Sequence, residues 1–454
     1  MITFELTREF VDRLKDLIEL RDDITLRKIL NELHPADIAE IYAELTLDEA
    51  KYLYYLVDDE TAADVLVELS EDDRNEFLRV LPSEEIARRF LDQMDSDDAT
   101  DVVSELDEER QHEVLSLMGD IEAAGDIVDL LSYDEDSAGG LMAKELIKVK
   151  ESWNIVTCLR SMRRQAKDVD EVYYVYVVDN DGVLKGTLSL KNMLLSHGDT
   201  LIKNIYDEDT ISVRADVSSE EVSNIMEKYN LVVLPVIDSI GRLVGRITID
   251  DVVDVIREEA EKDYQLASGI TDDVEASDSV WRLTRARLPW LFIGLIGGLL
   301  GSRVIGLFEG NISTYPQLAF FMTLIAAMGG NVGIQSSAIV VQSLANGSMG
   351  LDSNWRKLAK ELVVALLNAT GLSLLAFLYN SVTGSPIALT MTVTCAMFSV
   401  VIFASLFGTF LPLLLNKFNI DPAVATGPFI TTLNDISGMF IYLSLGSFFF
   451  SMFG

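Results

Sequence analysis

Asp435 stands alone near the middle of the last strongly apolar stretch of the chain, residues 424–450. A carboxylate at bilayer depth is costly unless it faces the interior of a helix bundle or a water-filled cavity, so it marks a candidate functional site. Thr431 and Gly427 lie four and eight residues before it, which places all three on one face of a helix. We interpret this face as part of a cation pathway. The alternatives are a structural carboxylate capped by neighbouring helices and a segment that does not cross the membrane.

Five apolar stretches occupy the C-terminal part of the chain. Each reaches the roughly 20 residues that an α-helix needs to cross the hydrocarbon core of a bilayer. The sequence therefore predicts an all-α membrane domain at 281–454 with the lipid bilayer around it. The predicted spans are 288–308, 317–345, 358–379, 388–415 and 424–450.

The basic residues of this domain are sorted by loop. Three arginines precede span 1, three basic residues lie at or just before the start of span 3 and Lys417 follows span 4, whereas loops 309–316 and 380–387 contain no Lys or Arg. Because Lys and Arg collect on the cytoplasmic side, we expect a multi-pass protein of the cell (inner) membrane. Its N-terminus would be cytoplasmic and its C-terminus outside. Arg303, near the outer end of span 1, is the one discordant charge, and its side chain can extend to the interface.

The two halves of the chain differ in charge. Residues 281–454 contain eight Lys or Arg and five Asp or Glu, whereas residues 1–280 contain 28 and 68, a net charge of −40. So acidic a region would repel phosphate, which excludes nucleic acid as a partner. Oxygen ligands suit hard divalent cations, although a solvated acidic surface is the simpler interpretation for most of these carboxylates. The sequence contains no P-loop, and nothing in it indicates an enzyme.

Residues 1–132 read as stacked short helices. A pattern recurs every 11 to 13 residues between His34 and Met118, in which Ser, Thr, Asp or Pro is followed by apolar residues at helical spacing. Such short units bury enough surface only by stacking, so we predict a small α-helical solenoid. Asp92, Asp95, Asp97 and Asp98 make it strongly acidic.

Residues 133–262 contain two copies of one α/β unit, at about 135–200 and 201–262. In each copy a β-rich run meets a turn, at Asp181-Gly182 or Ile240-Gly241, and a second β-rich run leads into a helix. The repeat resembles a tandem pair of CBS domains. Gly245-x-x-Thr248-x-x-Asp251 matches the pattern with which that family holds a ribose or phosphate, so Thr248 and Asp251 are candidate nucleotide ligands. The first copy departs from it with Asn192 in place of the carboxylate.

A carboxylate-rich helix and linker at 250–280 connect the second copy to span 1. Acidic residues fall there on one helical face, where like charges repel unless something compensates them. Divalent cations could bridge this face to the rest of the acidic half; the alternative is a solvated connector. The stripe consists of Asp251, Asp254, Glu258 and Glu261.

Taken together, these parts resemble the MgtE family of magnesium channels and transporters. The resemblance covers essentially the whole chain, and its most specific segments are Gly329-Gly-Asn-Val-Gly-Ile-Gln-Ser336 in span 2 and the residues from Asp421 to Asp435 in span 5. It implies that Asp435 is the ion-binding carboxylate, with Asn331, Gly427 and Thr431 at or near the same site. It also implies cytosolic magnesium-sensing residues, to which we add Asp95: Glu220, Asp251, Asp254, Glu259 and Asp263. Ser218, Asn230 and Lys262 stand where relatives can carry acidic residues.

The expected function is a magnesium-selective channel that closes when cytosolic Mg²⁺ is high. Mg²⁺ would then be both the transported and the regulatory ion, and a nucleotide at the CBS pair remains a possible cofactor. One filter carboxylate per chain favours a homodimer with a central pore. Two alternatives stay open: a non-conducting membrane regulator controlled by the CBS pair, and a channel for cobalt, nickel or manganese.

Overall fold

The computed structural model describes residues 5–167, 169, 172–271, 274, 278–345, 354–418, 420–425 and 427–453. Its contacts divide the chain into two compact units, Met1–Arg257 and Glu258–Gly454. The boundary falls inside one long helix, Ile249–Ala267, which we call the connecting helix. Each unit has its own hydrophobic core.

The first unit begins with the short helices that the sequence predicts. Most of them start after a side chain that accepts a hydrogen bond from the first turn, as Thr46 and Asp58 do. Their apolar faces share one core that includes Leu26, Ile41 and Phe77. The helices are Arg8–Glu19, Asp23–Leu30, Pro35–Ala43, Leu47–Tyr54, Asp59–Val67, Glu71–Val80, Ser83–Glu85 (continued by π-helical Ile86–Phe90 and 3-10 helical Leu91–Gln93), Ser96–Ser104, Glu108–Leu117 and Ile121–Leu130.

Two three-stranded sheets follow, one in each predicted α/β copy. In each sheet the middle strand pairs in parallel with a short strand before it and antiparallel with the strand after it. The first sheet contains β1 (Lys148–Lys150), β2 (Val175–Val178) and β3 (Leu184–Leu188), and the second contains β4 (Val213–Arg214), β5 (Val233–Ile237) and β6 (Leu243–Thr248). Their helices are Ile155–Gln165, Leu190–Leu195, the 3-10 helix Ile202–Asn204, Ser219–Tyr229 and the connecting helix.

The two copies meet at their hairpin turns. Gly182 and Gly241 have φ of +84° and +85°, which glycine adopts without the steric cost of a side chain. The Leu184 amide donates to the Gly241 carbonyl at 3.0 Å, and the Leu243 amide donates to the Gly182 carbonyl at 3.1 Å. The predicted strand–turn–strand–helix repeat is therefore present and internally paired.

All five predicted spans are helices long and apolar enough to cross a membrane. Span 1 begins earlier than predicted because Ser279 caps it by accepting from the Arg282 amide. Span 5 begins at Pro428 because Gly427 has φ of +66° and a 3-10 turn, Pro422–Ala425, precedes it. The spans are Val280–Leu307, Ala319–Ala345, Asn354–Val382, Ile387–Lys417 and Pro428–Phe453; Glu309–Thr314 and Pro316–Leu318 join the first two.

Span 4 is the central helix of the membrane domain. It packs against spans 2, 3 and 5, whereas span 1 packs mainly on span 5. The core formed there includes Val393, Val400 and Tyr442. Many leucines on spans 1 and 3 stay exposed, as expected for surfaces that face lipid.

Candidate cation pathway and acidic interface

Asp435 lies against the glycine segment of span 2. A methyl group added to Gly330 would lie 3.1 Å from Thr431 Cγ2 and 3.5 Å from Asp435 Oδ1. Thr431 and Asp435 therefore share one face of span 5, as their four-residue spacing predicts. The prediction was wrong for Gly427, which precedes the helix in a left-handed conformation because span 5 begins at Pro428. Because Gly330 has no side chain, the carboxylate approaches the backbone of span 2 closely, an arrangement typical of small residues between membrane helices.

Asn434 is a buried polar residue that sequence analysis missed. It is 1% exposed, and its side chain fills the space beside Gly333, where an added methyl group would overlap the amide nitrogen. Neither amide atom of Asn434 has a hydrogen-bond partner within the part of the chain that the structure describes. The predicted Asn331 follows Gly330 directly and has an exposed side chain. The sequence around Asn434, between Leu433 and Asp435 in an apolar helix, does not distinguish it from a lipid-facing residue. Its burial becomes visible only in the three-dimensional packing.

Gly427 connects this helix to the end of the connecting helix. The Thr431 hydroxyl donates to the Gly427 carbonyl at 2.9 Å, and the left-handed φ of Gly427 is one that residues with a side chain rarely adopt. A methyl group on Gly427 would lie 2.5 Å from the Ala267 carbonyl oxygen, so the connecting helix ends against the first turn of span 5. We call this contact between Ala267 and Gly427 the joint.

Two further contacts hold the joint. Gly269, with φ of +81°, lies so close to Pro428 that an added methyl group would be 2.8 Å from its Cγ. The Thr271 amide and hydroxyl both donate to the Ala286 carbonyl of span 1, at 3.1 and 2.9 Å. Movement of the end of the connecting helix would therefore act directly on the helix that carries Asp435.

In the first unit, Asp95, Asp97 and Glu145 bring carboxylate oxygens within 4.8 Å of one another. Glu145 accepts from the amide and hydroxyl of Ser96, at 3.2 and 2.8 Å. Asp95 occupies the N-cap position of helix Ser96–Ser104 without capping it, and its Oδ2 lies 3.7 Å from Nη2 of Arg246. Such a set of oxygen donors suits a hard divalent cation.

More carboxylates lie on or beside the helix Ser96–Ser104. We call the whole group the acidic interface; it consists of Asp95, Asp97, Asp98, Asp101, Glu145 and Asp251. Burial raises the pKa of Asp97 well above its usual range, and Asp251 raises it further. Burial, followed by the charge of Asp251, also raises the pKa of Asp98 to about 7. Burial raises the pKa of Asp101 to about 7 and that of Asp251 to about 6. These carboxyl groups repel one another when charged, so a bound cation or proton would relieve them.

Asp251 is held in place by its own helix start. Its Oδ2 accepts from the Thr248 amide at 3.2 Å and from the Thr248 hydroxyl at 2.7 Å. Because this carboxyl also faces the aspartates of helix Ser96–Ser104, its surroundings favour a cation over the phosphate of a nucleotide.

Of the other predicted sensing residues, Asp254 contributes to the raised pKa of Asp251, whereas Glu220, Glu259 and Asp263 lie outside the acidic interface. Glu220 and Asp254 are exposed. Glu259 forms an ion pair with Lys262 at 3.1 Å. This ion pair accounts for the lysine at position 262, where relatives can carry an acidic residue. Asp263 is half-buried near the end of the connecting helix. Sequence analysis also missed Glu145, because a single acidic residue between the helical region and the first sheet carries no pattern.

Comparisons with known proteins agree with this architecture. The family profile "MgtE intracellular N domain" matches residues 33–136, "CBS domain" matches 138–196 and 202–258, and "MgtE: Divalent cation transporter" matches 322–445. The magnesium transporter MgtE of Thermus thermophilus is 35% identical over 438 residues, which are 95% of this chain and 96% of that protein. The chain belongs to the MgtE family.

Two further comparisons extend this result. Magnesium transporter MgtE of Bacillus subtilis is 32% identical over 444 residues, 96% of this MgtE chain and 97% of the relative. The crystal structure of the cytosolic domain of the Mg²⁺ channel MgtE in complex with ATP has a TM-score of 0.51 at 35% identity, covering 54% of this chain and 99% of that one. The predicted family, the tandem CBS pair and a transporter rather than an enzyme are confirmed. The chain is a multi-pass membrane protein whose N-terminal domain is intracellular.

Proposed function

We propose that this MgtE protein is a Mg²⁺ channel in which Asp435 binds the permeating ion. The relatives from T. thermophilus and B. subtilis are both named magnesium transporters, which supports Mg²⁺ as the ion. Mg²⁺ gives up its waters reluctantly and binds proteins through one or two carboxylates, so a single carboxylate per chain suits it.

The observation that carries the proposal is the contact of Asp435 and Thr431 with Gly330. It leaves the carboxylate beside a backbone whose carbonyl groups can meet the water shell of an ion. In a homodimer, two copies of Asp435 near the axis would give a formal charge of up to −2. With the N-terminal half inside the cell, an odd number of spans would leave the C-terminus outside the cell membrane.

We further propose that cytosolic Mg²⁺ closes the channel through the acidic interface. The raised pKa values of Asp97, Asp98 and Asp251 support this, because charged carboxyl groups destabilise the compact arrangement until a cation joins them. Ions that bind only the compact form stabilise it by mass action. Asp95 and Glu145 would complete the site, and Glu220, Asp254, Glu259 and Asp263 would hold Mg²⁺ at the exposed surfaces. The joint at Gly427 would transmit the resulting movement of the connecting helix to span 5.

A nucleotide at the CBS pair is a separate proposal. It is supported by the ATP present in the crystal structure of a related cytosolic domain. The predicted ligands Thr248 and Asp251 are hydrogen bonded to each other and lie beside other aspartates, so a nucleotide would have to bring its own Mg²⁺ to bind there.

The experiment is Mg²⁺ flux into proteoliposomes that contain Asp435→Asn. This change keeps the size of the side chain and removes its charge, so we expect flux to fall by about a hundredfold or more, the effect of losing about 2.7 kcal/mol at an ion site. Glu309→Gln removes one exposed charge outside the spans and should conduct like the parent protein. Normal flux through correctly folded Asp435→Asn would contradict the proposal. Repeating the assay with Co²⁺, Ni²⁺ and Mn²⁺ tests selectivity.

A further inference from the structure

Glu361 is the second carboxylate within the five membrane helices, and the proposed pathway does not use it. It lies seven residues into Asn354–Val382, and Asp435 lies seven residues into Pro428–Phe453. At 1.5 Å per residue, each is about 10 Å from the start of its helix. A carboxylate at that depth is costly, so its surroundings should explain why it is tolerated.

The Glu361 carboxylate joins three spans. The hydroxyl of Ser336 in span 2 donates to Glu361 Oε1 at 2.8 Å, and the hydroxyl of Ser405 in span 4 donates to the same oxygen. The two hydroxyl oxygens lie 3.0 Å apart, and both serines are buried. Hydrogen bonds to an ionised acceptor are the stronger kind, and a surrounding of low dielectric strengthens them further.

This connection lies one helical turn from the glycine segment that faces Asp435. Ser336 follows Gly333 by three residues and so lies on the same side of span 2. Gly333 is packed between two other spans: Asn434 covers it from span 5, and a methyl group on Gly408 of span 4 would lie 2.5 Å from its carbonyl oxygen. The hydrogen bonds that join Ser336 to spans 3 and 4 therefore fix the rotation of span 2 about its axis and its position along that axis. Both determine how Gly330 contacts Asp435.

We propose that Glu361 is a positioning residue of the channel. Through Ser336 and Ser405 it holds the glycine segment of span 2 at the distance from Asp435 that Mg²⁺ binding requires. This inference rests on the proposed ion-binding function of Asp435. It assigns Glu361 an effect on how tightly the pathway binds Mg²⁺, without contact between Glu361 and the ion.

The test compares Glu361→Ala and Glu361→Gln in the full-length protein. Mg²⁺ flux into proteoliposomes is measured over a series of concentrations, giving the half-saturating concentration and the maximal flux. Losing a charge-assisted hydrogen bond should raise the half-saturating concentration of Glu361→Ala by about tenfold. Glutamine keeps an oxygen that both hydroxyls can reach but loses the charge assistance, so Glu361→Gln should raise the half-saturating concentration by only about threefold.

Two further variants distinguish the predicted effect on Mg²⁺ binding from a failure of the protein to fold. The double variant Ser336→Ala, Ser405→Ala removes both hydrogen bonds to Glu361 by small changes of side chain. It should shift the half-saturating concentration in the same direction as Glu361→Ala. Ser373→Ala is the matched control. It removes a buried hydroxyl from span 3 that has no hydrogen-bond partner within the described residues, and its half-saturating concentration should equal that of the parent.

Three results would overturn the inference and leave the proposed function in place. If Glu361→Ala lowers only the melting temperature or the maximal flux, Glu361 merely stabilises the fold. If Glu361→Gln is as impaired as Glu361→Ala, the charge acts on the ion itself and the positioning role is wrong. If Asp435→Asn loses flux while Glu361→Ala and the double serine variant bind Mg²⁺ like the parent, this inference alone fails. Normal flux through Asp435→Asn would instead remove the proposed function and this inference with it.

Discussion

The membrane domain and the acidic interface use carboxylates in opposite ways. In the membrane helices, Glu361 accepts hydrogen bonds from two hydroxyl groups and Asp435 lies against a glycine, so each carboxylate has a few fixed neighbours. In the acidic interface, Asp97, Asp98 and Asp251 lie beside one another, and burial and mutual repulsion raise their pKa values. In the first arrangement the Glu361 carboxylate is hydrogen bonded without a ligand. The second is strained until a proton or a cation arrives, which is what a sensor of divalent ions requires.

The largest expected effect comes from removing charge at the acidic interface. Asparagine resembles the neutral form that the compact arrangement favours, so the double variant Asp97→Asn, Asp98→Asn should be compact without Mg²⁺. Limited proteolysis of the cytosolic half should then show protection that no longer depends on Mg²⁺. Asp72→Asn is the matched control, because this exposed carboxylate lies in the same acidic half and outside the proposed Mg²⁺ sites, and it should keep the Mg²⁺ dependence. A double variant that stays protease-sensitive at every Mg²⁺ concentration would contradict the comparison.

A smaller effect is expected at the joint between the connecting helix and span 5. Alanine at position 427 would adopt the left-handed conformation at a cost of about 1–2 kcal/mol and would press on the Ala267 carbonyl. Gly427→Ala should therefore need about tenfold more cytosolic Mg²⁺ for closure, since 1.4 kcal/mol is one factor of ten. The measurement is flux at a series of internal Mg²⁺ concentrations.

The control for the joint is Gly294→Ala in span 1, where an added methyl group meets nothing within 4 Å. This variant should close at the same Mg²⁺ concentration as the parent. Equal closure by Gly427→Ala and the parent would show that the joint does not transmit the signal.

The smallest effect is a dependence on pH. The pKa values of Asp98 and Asp101 are raised from 3.8 to about 7, so the compact arrangement binds protons more tightly than the open one. Its proton-linked stability is fully present below about pH 4 and is lost as the pH rises to about 7. Lowering the pH from 8 to 6 should therefore reduce the Mg²⁺ concentration needed for protease protection, by a few-fold. A requirement for more Mg²⁺ at pH 6 would give the opposite sign and contradict the assignment.

Local patterns predicted most of the fold. Capping residues such as Thr46 and Asp58 stand where the short helices begin, and Gly182 and Gly241 stand in the turns of the two hairpins. The apolar stretches gave all five spans, with errors of several residues at their ends. Strands β1 and β4 were missed because three and two residues are too few to show an alternating pattern.

The candidate sites were predicted less completely, because contacts between distant residues leave no local signal. The spacing of Thr431 and Asp435 predicted their common face, which Gly330 meets. The burial of Asn434 and the hydrogen bonds of Glu145 and Glu361 depend on residues in other elements, and no periodicity marks them. Asp95 shows the limit of capping patterns, because it stands at an N-cap position and has its carboxylate near Arg246 instead.

The central claim is that Mg²⁺ binding to the cytosolic half closes the pore at Asp435. The most direct measurement follows protease protection of residues 1–280 and Mg²⁺ flux in the same proteoliposomes, while the Mg²⁺ concentration on the cytosolic side is raised. We predict that both change over one concentration range, and that Asp97→Asn, Asp98→Asn removes the Mg²⁺ dependence of both together. Protection that is complete while flux continues unchanged would contradict the account.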